Sequence, residues 1–158
     1  MNKKYIDPDQ LTAVLPALRQ GKVLVTVNGS FDLFHAGHLY QIQEAKKQGD
    51  LLLVALNSDA SIAEYKGKDR PIIPLKERME MMMALEEVDY VTFFEETTPL
   101  ALLEKIKPEV HANGIEYGEN CVEAEVVKKN GGRLYLVPRL EGLSTSRIIE
   151  KIKKLCAS

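Results

Sequence analysis

Five short apolar runs punctuate the chain, each separated from the next by enough residues for a helix: "KVLVTVN" (22–28), "LLLVALN" (51–57), "YVTFF" (90–94), "EVHAN" (109–113) and "RLYLVP" (133–138). Runs this short, rich in Val and Leu and lacking a polar/apolar alternation, suit strands covered on both faces. Parallel strands need a crossover between them, so the alternation predicts a parallel sheet sandwiched by helices. "LYQIQEAKKQ" sets Leu39, Ile42 and Ala45 on one face, with Gly49 placed as a stop. "PLKERMEMMMALEEV" (74–88) opens on Pro74 and spaces Met79, Met82, Met83 and Leu85 as a core-facing stripe, which makes its methionines packing residues. Further helices are expected over 8–19, 99–106, 121–129 and 144–155, with a short helical stretch after the second strand and a turn at Gly131–Gly132. The expectation is an α/β three-layer sandwich of about five parallel strands. Its ligands should lie at the carboxyl ends of the strands, where the strand order switches.

Length and composition narrow the partners. With 158 residues, 45% hydrophobic and 28% charged, residues 1–158 suit a single domain with one core. Its 21 basic and 23 acidic residues give a net charge of −2, which argues against a nucleic-acid-coating protein. Cys121 and Cys156 stand in no metal-ligand or CxxC spacing and read as reduced thiols. The N-terminal "MNKKYIDPDQ" has no signal-peptide core, and no stretch approaches the roughly 20 apolar residues that span a bilayer. A cytoplasmic protein without a membrane partner is expected.

The first strand-to-helix crossing reads "NGSFDLFHAGH" (28–38). It contains neither GxGxxG nor GxxxxGK[ST], so the dinucleotide fingerprint and the P-loop are both absent. Instead, Gly37 lets a ligand approach the first helical turn, whose free N–H groups carry the positive end of the helix dipole. His35 and His38 beside those donors can hydrogen-bond a phosphate whose charge grows during displacement. The same pair could join a zinc site, which would need further ligands from His111 and scattered acids, or cap the helix as structure. A triad of Ser30, Asp32 and a histidine is weaker, because GxSxG is missing.

"GSFDLFHAGH" resembles the nucleotide-binding signature of the cytidylyltransferase-like nucleotidyltransferases, whose HxGH motif follows the first strand of a Rossmann-like sheet. "PRLEGLSTSRIIEKI" (138–152) is similar to that family's R-x-x-G-[IL]-S-[TS]-[ST] element, which opens its last helix. Locally, Ser144, Thr145 and Ser146 also make an N-cap cluster. From Val23 to Ile152 the likeness is greatest to the heptose 1-phosphate adenylyltransferases of the family, including the whole of 44–91. The resemblance implies transfer of AMP from ATP, or of CMP from CTP, to a phosphorylated small-molecule acceptor, with release of pyrophosphate. Mg²⁺ would accompany the nucleotide, with no dedicated protein metal site, and a homodimer is possible. The kinase often fused to this unit has no room in 158 residues.

By the same resemblance, His35, His38 and Lys66 are the catalytic candidates. Ser30, Phe31, Gly37, Gly114, Glu116, Arg139, Gly142, Leu143, Ser144, Thr145 and Ser146 would bind nucleotide. Asp32, Lys66, Lys68, Arg78 and Asn113 would meet the acceptor. Read on their own, Asp32 could cap a turn and "YKGKDRP" (65–71) could be a solvated basic loop. Where heptose enzymes have a K-G-G-D-Y-like segment this chain has Asn113-Gly114-Ile115-Glu116-Tyr117, which leaves base and acceptor open. A non-catalytic nucleotide-binding regulator remains the alternative of another class.

Overall fold

The computed structural model describes residues 3–157. Five parallel strands form one sheet: β1 (Leu24–Gly29), β2 (Leu51–Asn57), β3 (Tyr90–Phe94), β4 (Val110–Gly114) and β5 (Arg133–Val137), in the order β3-β2-β1-β4-β5. The runs at 51–57 and 90–94 become strands at their expected limits, and the other three shift by one or two residues. β2 is buried at all seven positions, which is why it reads as an unbroken apolar run. Residues 4–6 run along β3 through Val91 N–H to the Lys4 carbonyl (2.8 Å) and Ile6 N–H to the Val91 carbonyl (2.9 Å), covering that edge.

Helices cover both faces: α1 (Leu11–Leu18), α2 (Ala36–Lys46), α3 (Asp59–Lys66), α4 (Leu75–Ala84), α5 (Leu100–Ile106), α6 (Ala124–Lys129) and α7 (Thr145–Ala157). Val25, Val27, Val54 and Leu56 pack with Ile42 of α2 and Met82 of α4 on one face. Leu24, Leu53 and Ala55 pack with Leu11 and Leu15 of α1 and Leu102 of α5 on the other. Met79, Met83 and Leu85 lean on the first cluster, as their spacing requires.

Several boundaries change: the helices expected from 8 and from 121 begin at Leu11 and Ala124, and α7 runs on to Ala157. The helix from 74 ends at Ala84 instead of 88, because Leu85 turns to ψ 138° and leads the chain towards buried Val88 and β3. Gly49 does not cap α2, which closes at Lys47 in a right-handed conformation. Gly49 instead permits close approach: a Cβ there would fall 2.7 Å from Val25 Cγ2 and 2.8 Å from the Val23 carbonyl.

β1 is the first strand in sequence but central in space, with β2 on one side and β4 on the other. The crossovers leave in opposite directions from this point, so a crevice opens above the carboxyl ends of β1 and β4.

Candidate active site

A cleft of about 400 Å³ occupies that crevice. This suits a small-molecule site. At one end the α2 N-terminus is capped by His35, whose Nδ1 accepts from the Gly37 N–H at 3.0 Å. A neutral His35 therefore carries its proton on Nε2. Gly37 is needed because a Cβ would fall 2.8 Å from the His35 ring and 3.2 Å from Leu143 Cβ. One turn on, the His38 ring stacks on His35 with centroids 3.9 Å apart and on Phe34 at 5.7 Å, while Phe31 stands edge-on at 5.3 Å. Phe31 holds φ 46°, a left-handed conformation that is costly for an aromatic residue and is held in place here by a buried ring.

Burial pushes the His35 imidazole below its ordinary value. His38 is driven down to about 4 by burial first and then by His35 and Lys66. Both rings are thus neutral near pH 7 and present N–H donors without repelling each other. His38 Nδ1 is buried with no hydrogen-bond partner, which a ligand oxygen or proton donor would satisfy.

The start of α7 meets this site from the far end of the sequence. Ser144 Oγ accepts from the Arg147 N–H (3.2 Å), so it caps α7 as the serine cluster suggested. Thr145 Oγ1 reaches the Leu33 carbonyl (3.5 Å), and Leu143, Ser144, Thr145 and Arg139 all line the cleft. Two helix N-termini therefore face one space, with their unpaired N–H groups available to an anion. Lys66, at the end of α3, donates to Ser30 Oγ (2.9 Å) across the cleft. Desolvation and the Arg70 guanidinium outweigh the pull of Asp32 and lower the pKa of this ammonium.

Two residues expected at the acceptor are buried and do not line the cleft. Asp32 is 2% exposed, and its carboxylate accepts from Ile72 N–H (2.9 Å), Ile73 N–H (2.9 Å) and Arg70 Nε (2.8 Å). Burial alone would raise its pKa, but the two backbone N–H groups and Arg70 hold it below the usual carboxylate value. Arg78 is fully buried and donates to the carbonyls of Ile73 (2.9 Å), Ser30 (2.6 Å) and Asn57 (2.9 Å) and to Asp59 Oδ1 (2.7 Å). It ties the Ser30 loop to the end of β2 and has no face left for a ligand. Lys68, Gly142 and Ser146 lie outside the cleft lining. Gly142 has φ 82°, so it shapes the turn into α7.

The other end of the cleft is formed by the segment after β4. Asn113, Gly114 and Glu116 line it as expected, joined by Tyr117 and by Glu123, which the sequence reading missed. Asn28 and Asn57 line it too. A readable signal existed for those two: the first, second and fourth apolar runs each end in Asn, placing amides at neighbouring strand ends.

The cytidylyltransferase-like family profile matches residues 26–151. The bifunctional protein HldE of Geotalea uraniireducens is 48% identical over 147 residues, covering 92% of this chain and 30% of that protein. The HldE of Geobacter sulfurreducens is 47% identical over 148 residues, again 92% of this chain and 30% of the relative. The chain thus spans under a third of the length of these curated relatives. A lipopolysaccharide core biosynthesis protein from Thermoplasma volcanium superposes with TM-score 0.61 at 30% identity, covering 76% of this chain and 98% of that one. Pantothenate synthetase from Thermus thermophilus, 15% identical with TM-score 0.66 over 96% of this chain and 70% of its own, shares the fold. With HxGH at the start of α2 and the serine cluster at the start of α7 facing one cleft, the chain belongs to the cytidylyltransferase-like nucleotidyltransferases.

Proposed function

We propose that the chain transfers the AMP moiety of ATP to a sugar 1-phosphate, with D-glycero-β-D-manno-heptose 1-phosphate as the favoured acceptor, releasing ADP-sugar and pyrophosphate. The observation that carries this reading is the pair of neutral stacked imidazoles at a helix N-terminus that faces a second helix N-terminus. The HldE relatives support the choice of acceptor.

An acceptor phosphate oxygen attacks the α-phosphorus, the bond to the bridging oxygen breaks, and pyrophosphate leaves in line with the incoming group. The protein aligns two anions and offsets their charge. His35, through Nε2–H, and His38 donate to the α-phosphoryl group as its charge builds. Lys66 exchanges its bond to Ser30 for one to a phosphate oxygen. Buried Asp32 and Arg78 position the loops that carry Ser30 and Arg70 and touch neither substrate. Mg²⁺, when bound, screens the triphosphate charge. Phosphate oxygens and water would supply most of its ligands.

The test is pyrophosphate release from ATP or CTP paired with heptose 1-phosphate, other sugar 1-phosphates and glycerol 3-phosphate. Turnover with ATP and a sugar 1-phosphate is expected. CTP with glycerol 3-phosphate would redirect the assignment to a cytidylyltransferase, since the Asn113–Tyr117 segment leaves base and acceptor open. Nucleotide binding with no pyrophosphate from any pair would make the protein a non-catalytic regulator.

A further inference from the structure

Phosphate chemistry leaves one buried carboxylate of the cleft unused. Glu123 is 6% exposed, lines the cleft, and stands at the N-cap position of α6 without making a side-chain cap bond. Its contact from Asn113 Nδ2 is 3.4 Å, at the long limit of a hydrogen bond. Asn113 is also 6% exposed, and its Oδ1 is occupied by the Gly114 N–H at 3.0 Å, which fixes the amide with its NH₂ towards Glu123. The Cys121 thiol also donates to this carboxylate, and burial raises the thiol pKa with it. A carboxylate offers about four acceptor positions, and burying it with two weak donors is unfavourable unless stronger ones arrive.

The surroundings say what kind of donor. Burial and the charges of Glu116, Tyr65 and Glu123 all raise the Tyr117 pKa, and no cation is among them. The negative charge of Glu116 and Glu123 suits a neutral donor here better than a phosphate. Asn28 Oδ1 is buried in the same cleft without a partner. Thr26 and His111 are register partners joined by a 2.8 Å hydrogen bond, and Asn28 and Asn113 lie two residues beyond each, on the same sheet face. Acceptor groups thus line this end from two strands and a loop.

We infer that Glu123, oriented by Asn113, accepts hydrogen bonds from the neutral donor-bearing part of one substrate, a base amino group or a sugar hydroxyl, and is a specificity-determining residue. This rests on the reading of the cleft as a nucleotidyltransferase site. A glutamine at 123 keeps the shape but turns an NH₂ towards the ligand's donor, and such a mismatch rejects a substrate more strongly than a lost apolar contact does.

The experiment compares wild type with E123Q in steady-state kinetics, in calorimetric binding of ATP and CTP, and in thermal midpoint. The expected result is a KM raised by about tenfold or more for one substrate only, with the midpoint unchanged. If the donor is the base amine, purine riboside triphosphate weakens wild type as E123Q weakens ATP, and the two losses do not add. If it is a ribose hydroxyl, 2′- or 3′-deoxy-ATP behaves in that way. If the acceptor carries it, only the acceptor KM moves. Unchanged KM values, or a general loss accompanied by a lower midpoint, would overturn the inference. Absence of wild-type turnover with every pair would sink the reaction itself. The calorimetric arm, extended to the sugar 1-phosphate, would then decide on Glu123 alone, and equal affinities of the two proteins for nucleotide and acceptor alike would refute its role.

Discussion

At its His35–His38 end the cleft offers donors: two neutral imidazoles, the unpaired N–H groups of α2 and α7, and Lys66. At its Asn113–Glu123 end it offers acceptors, with Glu116, Glu123 and Asn28 lining the wall. The two ends are also braced differently. The donor end rests on Arg78 and Asp32, whose bonds reach across four segments of chain. The acceptor end rests on a loop and on weak bonds, the long one from Asn113 to Glu123 and those of the Cys121 thiol. Under the proposed function, the contrast teaches that phosphate handling, common to all nucleotides, would be built on rigid elements, whereas substrate choice would sit on a loop.

The largest effect should come from the bracing. Replacing Arg78 by Met strands three buried carbonyls and is expected to destabilise the protein by roughly 3–5 kcal/mol in urea unfolding. Cys121→Ser at the acceptor end should cost less than about 1 kcal/mol; equal costs would break the contrast. Next, His38→Ala should lower kcat/KM by about 10²–10³, equally for ATP and CTP, because that end meets only what nucleotides share. A loss confined to one nucleotide would erase the division of labour. Gly37→Ala forces the His35 ring aside and should lower turnover by roughly tenfold, with the thermal midpoint nearly unmoved.

The smallest effect sharpens the electrostatics. His38 titrates at about 4 in the free protein, and a bound triphosphate raises that value. Protonation then favours the complex, so affinity should strengthen as pH falls through the raised value and level off below the free one. Calorimetry in two buffers of different ionisation enthalpy should detect proton uptake below about pH 6. Wild type and His38→Asn with identical pH profiles would remove His38 from the phosphate site.

What the sequence disclosed follows the same divide. β2 and β3 were legible residue for residue because strands covered on both faces need unbroken apolar runs, and HxGH was legible because helix cap, glycine and imidazoles are local in sequence. The burial of Arg78 was not legible, because nothing in "KERM" tells a solvated guanidinium from one buried under three carbonyls. Glu123 was missed because its burial depends on how the 115–123 loop folds back over β4, a tertiary fact with no periodic trace. Leu85 escaped for a related reason: good helix formers run on to Glu87, and only the packing of Val88 beneath β3 ends the helix early.

The abutment of Gly37 against Leu143 carries its own corollary. A reactive centre that straddles positions 37 and 143 exists only after an intervening loop of roughly a hundred residues has closed, a modest entropic cost once the sheet is formed. Catalysis would therefore be among the last properties a refolding chain recovers, later than its helical signal, and clipping near residue 140 should silence it while most of the sheet stays intact.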